Sequence, residues 1–105
     1  MNIKEILADA VKKNASDVFI ISGAALAYKI SGRVATVSND ILMPDDTRSA
    51  VLEIFRLAGM ENISLDDYRR EMDFSFSISG VGRFRANIYK QRGSFAAVMR
   101  CVPFE

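Results

Sequence analysis

Three arginines, Arg83, Arg85 and Arg100, are the residues in this chain whose type and spacing best suit chemistry. A guanidinium presents a planar fork of N–H donors that grips phosphate or carboxylate in bidentate fashion. All three lie in the stretch from Asp73 to Pro103, and no Asp or Glu occurs between Phe74 and Phe104. Any counter-charge must come from Asp73, from another part of the fold, or from an outside anion. On charge pattern alone, solvation on an exposed face is the favoured account, because exposed charges usually do little. Gripping an anion is the competing one.

The elements that must position these arginines are strands. Phe74, Phe76 and Ile78 alternate with Asp73, Ser75, Ser77 and Ser79, and Phe84, Ala86 and Ile88 alternate with Arg83, Arg85, Asn87 and Tyr89. Phe95, Ala97 and Met99 then alternate with Ala96, Val98 and Arg100. A period of two with one apolar face predicts three antiparallel strands joined by two hairpins. A three-residue turn at Gly80 to Gly82 sets Ser79 opposite Arg83, Ser77 opposite Arg85 and Ser75 opposite Asn87. A turn centred on Arg92-Gly93 sets Phe84 opposite Cys101 and Arg85 opposite Arg100. Like charges directly opposite one another destabilise a sheet by roughly 0.2 to 1 kcal/mol, so the pair needs something to offset it.

The chain's 105 residues, half of them hydrophobic, make one domain with a real core. A net charge of +1 gives no global field for nucleic acid or anionic membrane. With no histidine and one cysteine, the usual general base, a thiolate metal cluster and an internal disulfide are all excluded. Cys101 falls in the inward row and reads as a small core residue. No signal peptide or membrane-length apolar run is present, which predicts a cytoplasmic protein without membrane insertion.

In chain order, Asn2 and Glu5 have capping-box spacing, and Ile3, Ile6, Leu7, Ala10 and Val11 recur at helical intervals, predicting a helix to about Asn14. Asp17 to Ile21 reads as a central strand, and Leu26 to Ile30 with Val34 to Val37 as a hairpin turning at Ser31-Gly32-Arg33. Pro44-Asp45-Asp46-Thr47 opens a second helix with Val51, Leu52, Phe55 and Ala58 as its buried stripe and Gly59 as its stop. Ser64 and Asp67 cap a short third helix with Leu65 and Tyr68 inward, and Arg69 and Arg70 read as solvated charges at its end. The resulting order predicts an α+β fold, a mainly antiparallel sheet with helices grouped on one side. Gly80-Val81-Gly82-Arg83 lacks the downstream Gly-Lys-Ser/Thr of a phosphate loop and reads as a hairpin turn. Asp45-Asp46 and Asp66-Asp67 are accounted for by capping.

Ala15-Ser16-Asp17-Val18-Phe19-Ile20, Gly23, Lys29-Ile30-Ser31-Gly32, Asp73-Phe74-Ser75-Phe76, Gly82-Arg83-Phe84-Arg85-Ala86-Asn87, Gln91-Arg92-Gly93 and Arg100-Cys101-Val102-Pro103, in this order, resemble the N-terminal domain of the type IV pilus retraction ATPases of PilT type, within the secretion ATPase superfamily. The resemblance spans essentially the whole chain. It implies that residues 1–105 are a single PAS-like domain, cut before a RecA-like ATPase domain in a homo-hexameric motor that works with an inner-membrane pilus platform protein. It also implies that Arg83, Arg85 and Arg100 reach phosphates of ATP held by the RecA-like domain, whose own residues bind the Mg, and that the domain relays the nucleotide's state. Lacking a phosphate loop and a water-positioning base, the chain alone is expected to be no enzyme and to take no cofactor by itself, and the resemblance implies a place in the cytoplasm against the inner face of the membrane. Phe19, where the family often has His, and Lys29, where it often has Arg, are departures, and no binding role is carried to Lys29. With the first helix starting at Met1, a retraction motor fits better than an assembly or secretion motor. The competing classes are a free-standing PAS-like sensor of a small ligand, which needs an internal cavity, and a single-stranded nucleic-acid module. The latter is weakest, because Tyr89 is the only aromatic on the wet face of the terminal strands.

Overall fold

The computed structural model describes residues 1–65 and 71–103. Its elements are α1 (Ile3–Lys12), β1 (Ala15–Ile21), β2 (Ala25–Ile30), β3 (Arg33–Ile41), α2 (Pro44–Leu57), β4 (Met72–Ile78), β5 (Gly82–Gln91) and β6 (Ser94–Val102). The six strands form one antiparallel sheet in the order β3-β2-β1-β6-β5-β4, so β1 and β6 lie side by side at the centre. The expected α+β class is borne out, and β1 is central as its apolar run predicts. The third helix expected around Asp67 and Tyr68, with Arg69 and Arg70 at its end, falls outside the described residues. Leu65, the one inward residue expected there that is described, is buried.

Both helices cover one face. The side chains they meet, among them Val18, Ile20, Tyr28, Phe84, Ala86, Ile88, Ala97 and Met99, share that face by alternation and form one continuous buried cluster with Leu7, Ala10, Val51, Ile54 and Phe55. In α1 the Asn2 side chain accepts the Glu5 N–H at 3.0 Å, satisfying a donor that the first helical turn leaves without a partner. Its other end closes at Asn14, whose φ is +58°. The first N–H of α1, on Ile3, is taken by the Glu53 carboxylate of α2 at 2.9 Å. Sequence periodicity could not reveal that tie, because it joins two helices far apart in the chain.

Helix α2 starts where the Asp46 carboxylate accepts the Met43 N–H at 2.8 Å. It stops at Gly59, where the Gly59 N–H bonds the Arg56 carbonyl at 3.1 Å and the Met60 N–H bonds the Phe55 carbonyl at 2.8 Å. Its buried stripe differs from the expected one. Thr47, Ala50, Val51, Ile54 and Phe55 are inside, whereas Leu52 is exposed and Ala58 only partly buried. The stripe follows the 3.6-residue period through position 54, which turns 52 outward.

Strand β3 runs four residues past its expected end, and all nine of its residues are exposed at the sheet edge. No helix of the described residues is long and apolar enough to cross a membrane.

Candidate anion-binding face

The face opposite the helices carries the arginines. Cross-strand partners in antiparallel pairs point to the same side of a sheet, so the pairing can be followed strand by strand. Ser75 faces Arg85, Arg85 faces Arg100, Arg100 faces Asp17 and Asp17 faces Lys29. This is one row across five strands. The neighbouring row runs Asp73, Asn87, Val98, Phe19, Ala27. On the other side Ser77 faces Arg83, and Arg83 faces Val102.

The β5–β6 register agrees in full with the expected one, including Phe84 against Cys101 and Arg85 against Arg100. Its two-residue turn puts φ at +53° on Arg92 and +80° on Gly93, the paired left-handed conformation that suits the twist of a tight hairpin. The β4–β5 register does not agree. The turn occupies Ser79 to Val81 rather than Gly80 to Gly82, so Arg85 faces Ser75 and Arg83 faces Ser77, two positions from the expected partners. The cause is local. The Val81 N–H bonds the Ile78 carbonyl at 3.0 Å and Gly80 sits at the third position of that turn with φ +77°, a place that demands left-handed backbone. Gly82 is left inside the strand. Because the slip is two residues, every side chain keeps its face. Phe76 now meets Phe84, with ring centroids 5.6 Å apart. Phe74 lies only half-buried, against Phe55 at 5.7 Å.

Of the three sources of counter-charge left open by the sequence, the fold supplies one in part. Asp17, on β1, sets its Oδ1 3.8 Å from Arg100 Nε, so another part of the fold supplies one counter-charge. Asp73 supplies none to the arginines, since its carboxylate accepts from Asn87 Nδ2 at 3.1 Å, and Glu71 accepts from the same amide. Neither Arg83 nor Arg85 forms an ion pair with a described residue. Both are exposed. Asp17, Asp73, Arg85, Asn87, Val98 and Arg100 line an open groove of about 210 Å³.

The structure thus brings Arg85 and Arg100 together on one groove and leaves Arg83 one row away. Two neighbours went unread in the sequence. By its sequence Asp17 reads as the start of an apolar strand and Phe19 as part of its continuous run, yet Phe19 lies half-buried on the outer face beside Val98. The signal was present in the alternation of Val18 and Ile20, both fully buried, with their neighbours. Among the described residues no group of three or more His, Cys, Asp or Glu is placed to hold a metal ion. Cys101 packs half-buried at the margin of the core, and burial, with Asp17 adding to it, pushes its thiol above the ordinary value.

No established sequence-family profile matches the chain. It is 32% identical over 100 residues to the type IV pilus ATPase PilU of Pseudomonas aeruginosa, covering 95% of this chain and 25% of PilU. It is 30% identical over 105 residues to the type IV pilus retraction ATPase PilT of the same organism, covering 98% of this chain and 29% of PilT. The crystal structure of the pilus retraction motor PilT with bound ADP superposes with a TM-score of 0.79 at 32% identity, over all of this chain and 30% of that one. The chain is a PilT-type secretion ATPase N-terminal domain. It spans between a quarter and three-tenths of the length of the curated relatives above. For a PilT-type domain the arginine row is the feature most in need of explanation, because two cations directly opposite each other on a sheet cost stability.

Proposed function

We propose that this chain is the N-terminal domain of a hexameric type IV pilus retraction motor, and that Arg83, Arg85 and Arg100 contact the phosphates of ATP held mainly by a RecA-like domain of the same assembly. What carries the reading is the Ser75, Arg85, Arg100 row. Two guanidinium groups stand across from one another, one of them with no carboxylate partner among the described residues, beside a small serine that leaves their forks accessible. A nucleotide's phosphates would supply the anion that offsets this repulsion, and arginines at that position stabilise charge as it spreads over the transferred phosphoryl group. The donor set fits phosphates, and it does not fit Mg, which would be held by the RecA-like domain.

On this reading the domain relays the nucleotide's state, working at the cytoplasmic face of the membrane beside a pilus platform protein. Its relatives' names support the class of machine: PilU is a type IV pilus ATPase, and PilT was crystallised with ADP.

The test is ATP turnover by the intact protein that carries this chain. Arg85→Ala should lower kcat by two or more orders of magnitude, roughly the scale of losing a transition-state arginine. Arg85→Lys should recover only part of the loss, because an ammonium keeps the charge without the bidentate fork. Arg33→Ala, an exposed arginine on β3, should be silent. Turnover and nucleotide affinity unchanged in Arg83→Ala, Arg85→Ala and Arg100→Ala alike would defeat the proposal.

A further inference from the structure

We infer that Asp17 is a positioning residue for Arg100, holding its guanidinium by the Nε side so that the two terminal amino groups face outward as the anion-binding fork. This rests on the phosphate-contact reading above and adds to it a residue on a different strand.

The geometry is asymmetric in a telling way. Asp17 is the single acid in a row that otherwise reads Ser75, Arg85, Arg100 and Lys29, and it sits directly between Arg100 and Lys29. Its side chain is only 15% accessible, whereas that of Arg100 is 73% accessible. The carboxylate therefore lies down on the sheet while the guanidinium stands in water above it. Oδ1 is 3.8 Å from Arg100 Nε, too long for a hydrogen bond, so the contact is a charge attraction that biases orientation rather than a clamp. Oδ2 accepts the Ser16 hydroxyl at 2.7 Å, which steadies the carboxylate itself.

Three consequences follow from the chemistry. Attraction at the Nε side draws that edge of the guanidinium toward the carboxylate and leaves the terminal fork turned to an oxyanion. Neutralising one of two facing guanidinium groups lets Arg85 and Arg100 stay side by side before any anion arrives. Lys29, the other neighbour of Asp17, has no fork to orient, so Arg100 is the partner whose geometry the carboxylate decides. A carboxylate beside a phosphate site does not raise affinity, since like charges repel. Asp17 should therefore appear in kcat and not in binding.

The experiment has two arms. In the intact protein, Asp17→Asn should lower kcat for ATP about tenfold or more, the scale of a misplaced catalytic group, with KM for ATP unchanged or lower. Asp17→Glu should recover part of kcat. The double variant Asp17→Asn with Arg100→Ala should be no slower than Arg100→Ala alone, because Asp17 acts through Arg100. If Arg100→Ala slows turnover and Asp17→Asn does not, or if the two losses multiply, the positioning role is wrong while the phosphate-contact reading stands. If Arg100→Ala itself changes nothing, the phosphate contact fails at that residue and the positioning role with it. Should Asp17→Asn not fold, Ser16→Ala, which frees the carboxylate to swing, should give a smaller kcat loss with the same unchanged KM, and a loss in KM alone overturns the inference. The second arm needs no nucleotide. In NMR spectra of the 105-residue chain, the Arg100 Nε–H signal should lie apart from that of exposed Arg33 and move towards it in Asp17→Asn. A signal that Asp17→Asn leaves unmoved overturns the inference.

Discussion

The two faces of β5 obey different rules. Towards the helices it presents Phe84, Ala86 and Ile88, none with any accessible surface; away from them it presents Arg83 and Arg85, both exposed. The inner face is what burial alone would select, since each apolar side chain removed from water stabilises the fold. Burial does not explain the outer face. A strand needing only a wet surface would be served by serines and threonines, as β4 is by Ser75 and Ser77, without setting one arginine across from another. The contrast locates stability on one side of a single strand and leaves the other side free for function.

Breaking that contrast begins with its largest effect. Phe84→Ala should destabilise the chain by about 3 to 5 kcal/mol, because it removes a fully buried ring packed on Phe76 and leaves a cavity. For a domain of this size that is a large share of a total of roughly 5 to 15 kcal/mol. Arg85→Ala, one residue on, should stay within about 0.5 kcal/mol of the parent. Urea unfolding of both variants decides the matter, and similar losses at 84 and 85 would mean that the faces are not divided as described.

How far this division could be read from sequence depended on the range of the interaction. Alternation placed the residues it assigned in β4, β5 and β6 on their proper faces, and Arg92-Gly93 set the β5–β6 register because a two-residue turn leaves one way to pair. The β4–β5 turn carried two glycines, Gly80 and Gly82, and either placement kept the apolar rows aligned. Only the left-handed φ at Gly80 decided between them. Asp17 meets Arg100 because β1 and β6 are neighbours at the sheet centre, a pairing between opposite ends of the chain that no local pattern encodes. The misassigned Leu52 has another origin. In α2 the apolar residues at 50, 51, 52, 54 and 55 span more than one stripe, and packing against the sheet chose among them.

A smaller effect tests how the helices are fixed on the inner face. The Glu53 carboxylate accepts the first N–H of α1 at 2.9 Å, satisfying a donor that the helix cannot satisfy itself and placing negative charge at the positive end of its dipole. Glu53→Ala should cost about 1 kcal/mol, the usual worth of an N-terminal cap. Glu53→Gln keeps an acceptor and should lose less. Thermal unfolding of the pair distinguishes a cap from a mere surface charge, for which the two substitutions would behave alike.

The smallest effect lies in the acid limb of the stability curve and concerns the tie between α1 and β2. Buried Tyr28 donates its hydroxyl to Asp9 Oδ2 at 2.9 Å, and Lys13 Nζ lies 3.1 Å from the same oxygen. The Tyr28 hydrogen bond, and after it Lys13, holds the Asp9 carboxyl below its ordinary value, while burial and then Asp9 push the Tyr28 phenol above its own. A carboxyl whose folded value is depressed contributes stability that is fully present above its unfolded value and is lost as pH falls through the folded one. Unfolding midpoints measured through the acid range should therefore decline less steeply in Asp9→Asn than in the parent. Tyr28→Phe separates the two causes. It removes the hydroxyl and leaves Lys13, so if the hydrogen bond is the larger cause the acid limb flattens nearly as much as in Asp9→Asn. An acid limb that keeps its slope in Tyr28→Phe and flattens in Lys13→Met would assign the effect to the exposed ion pair instead, and α1 would then be held to the sheet by its apolar stripe without help from this bond.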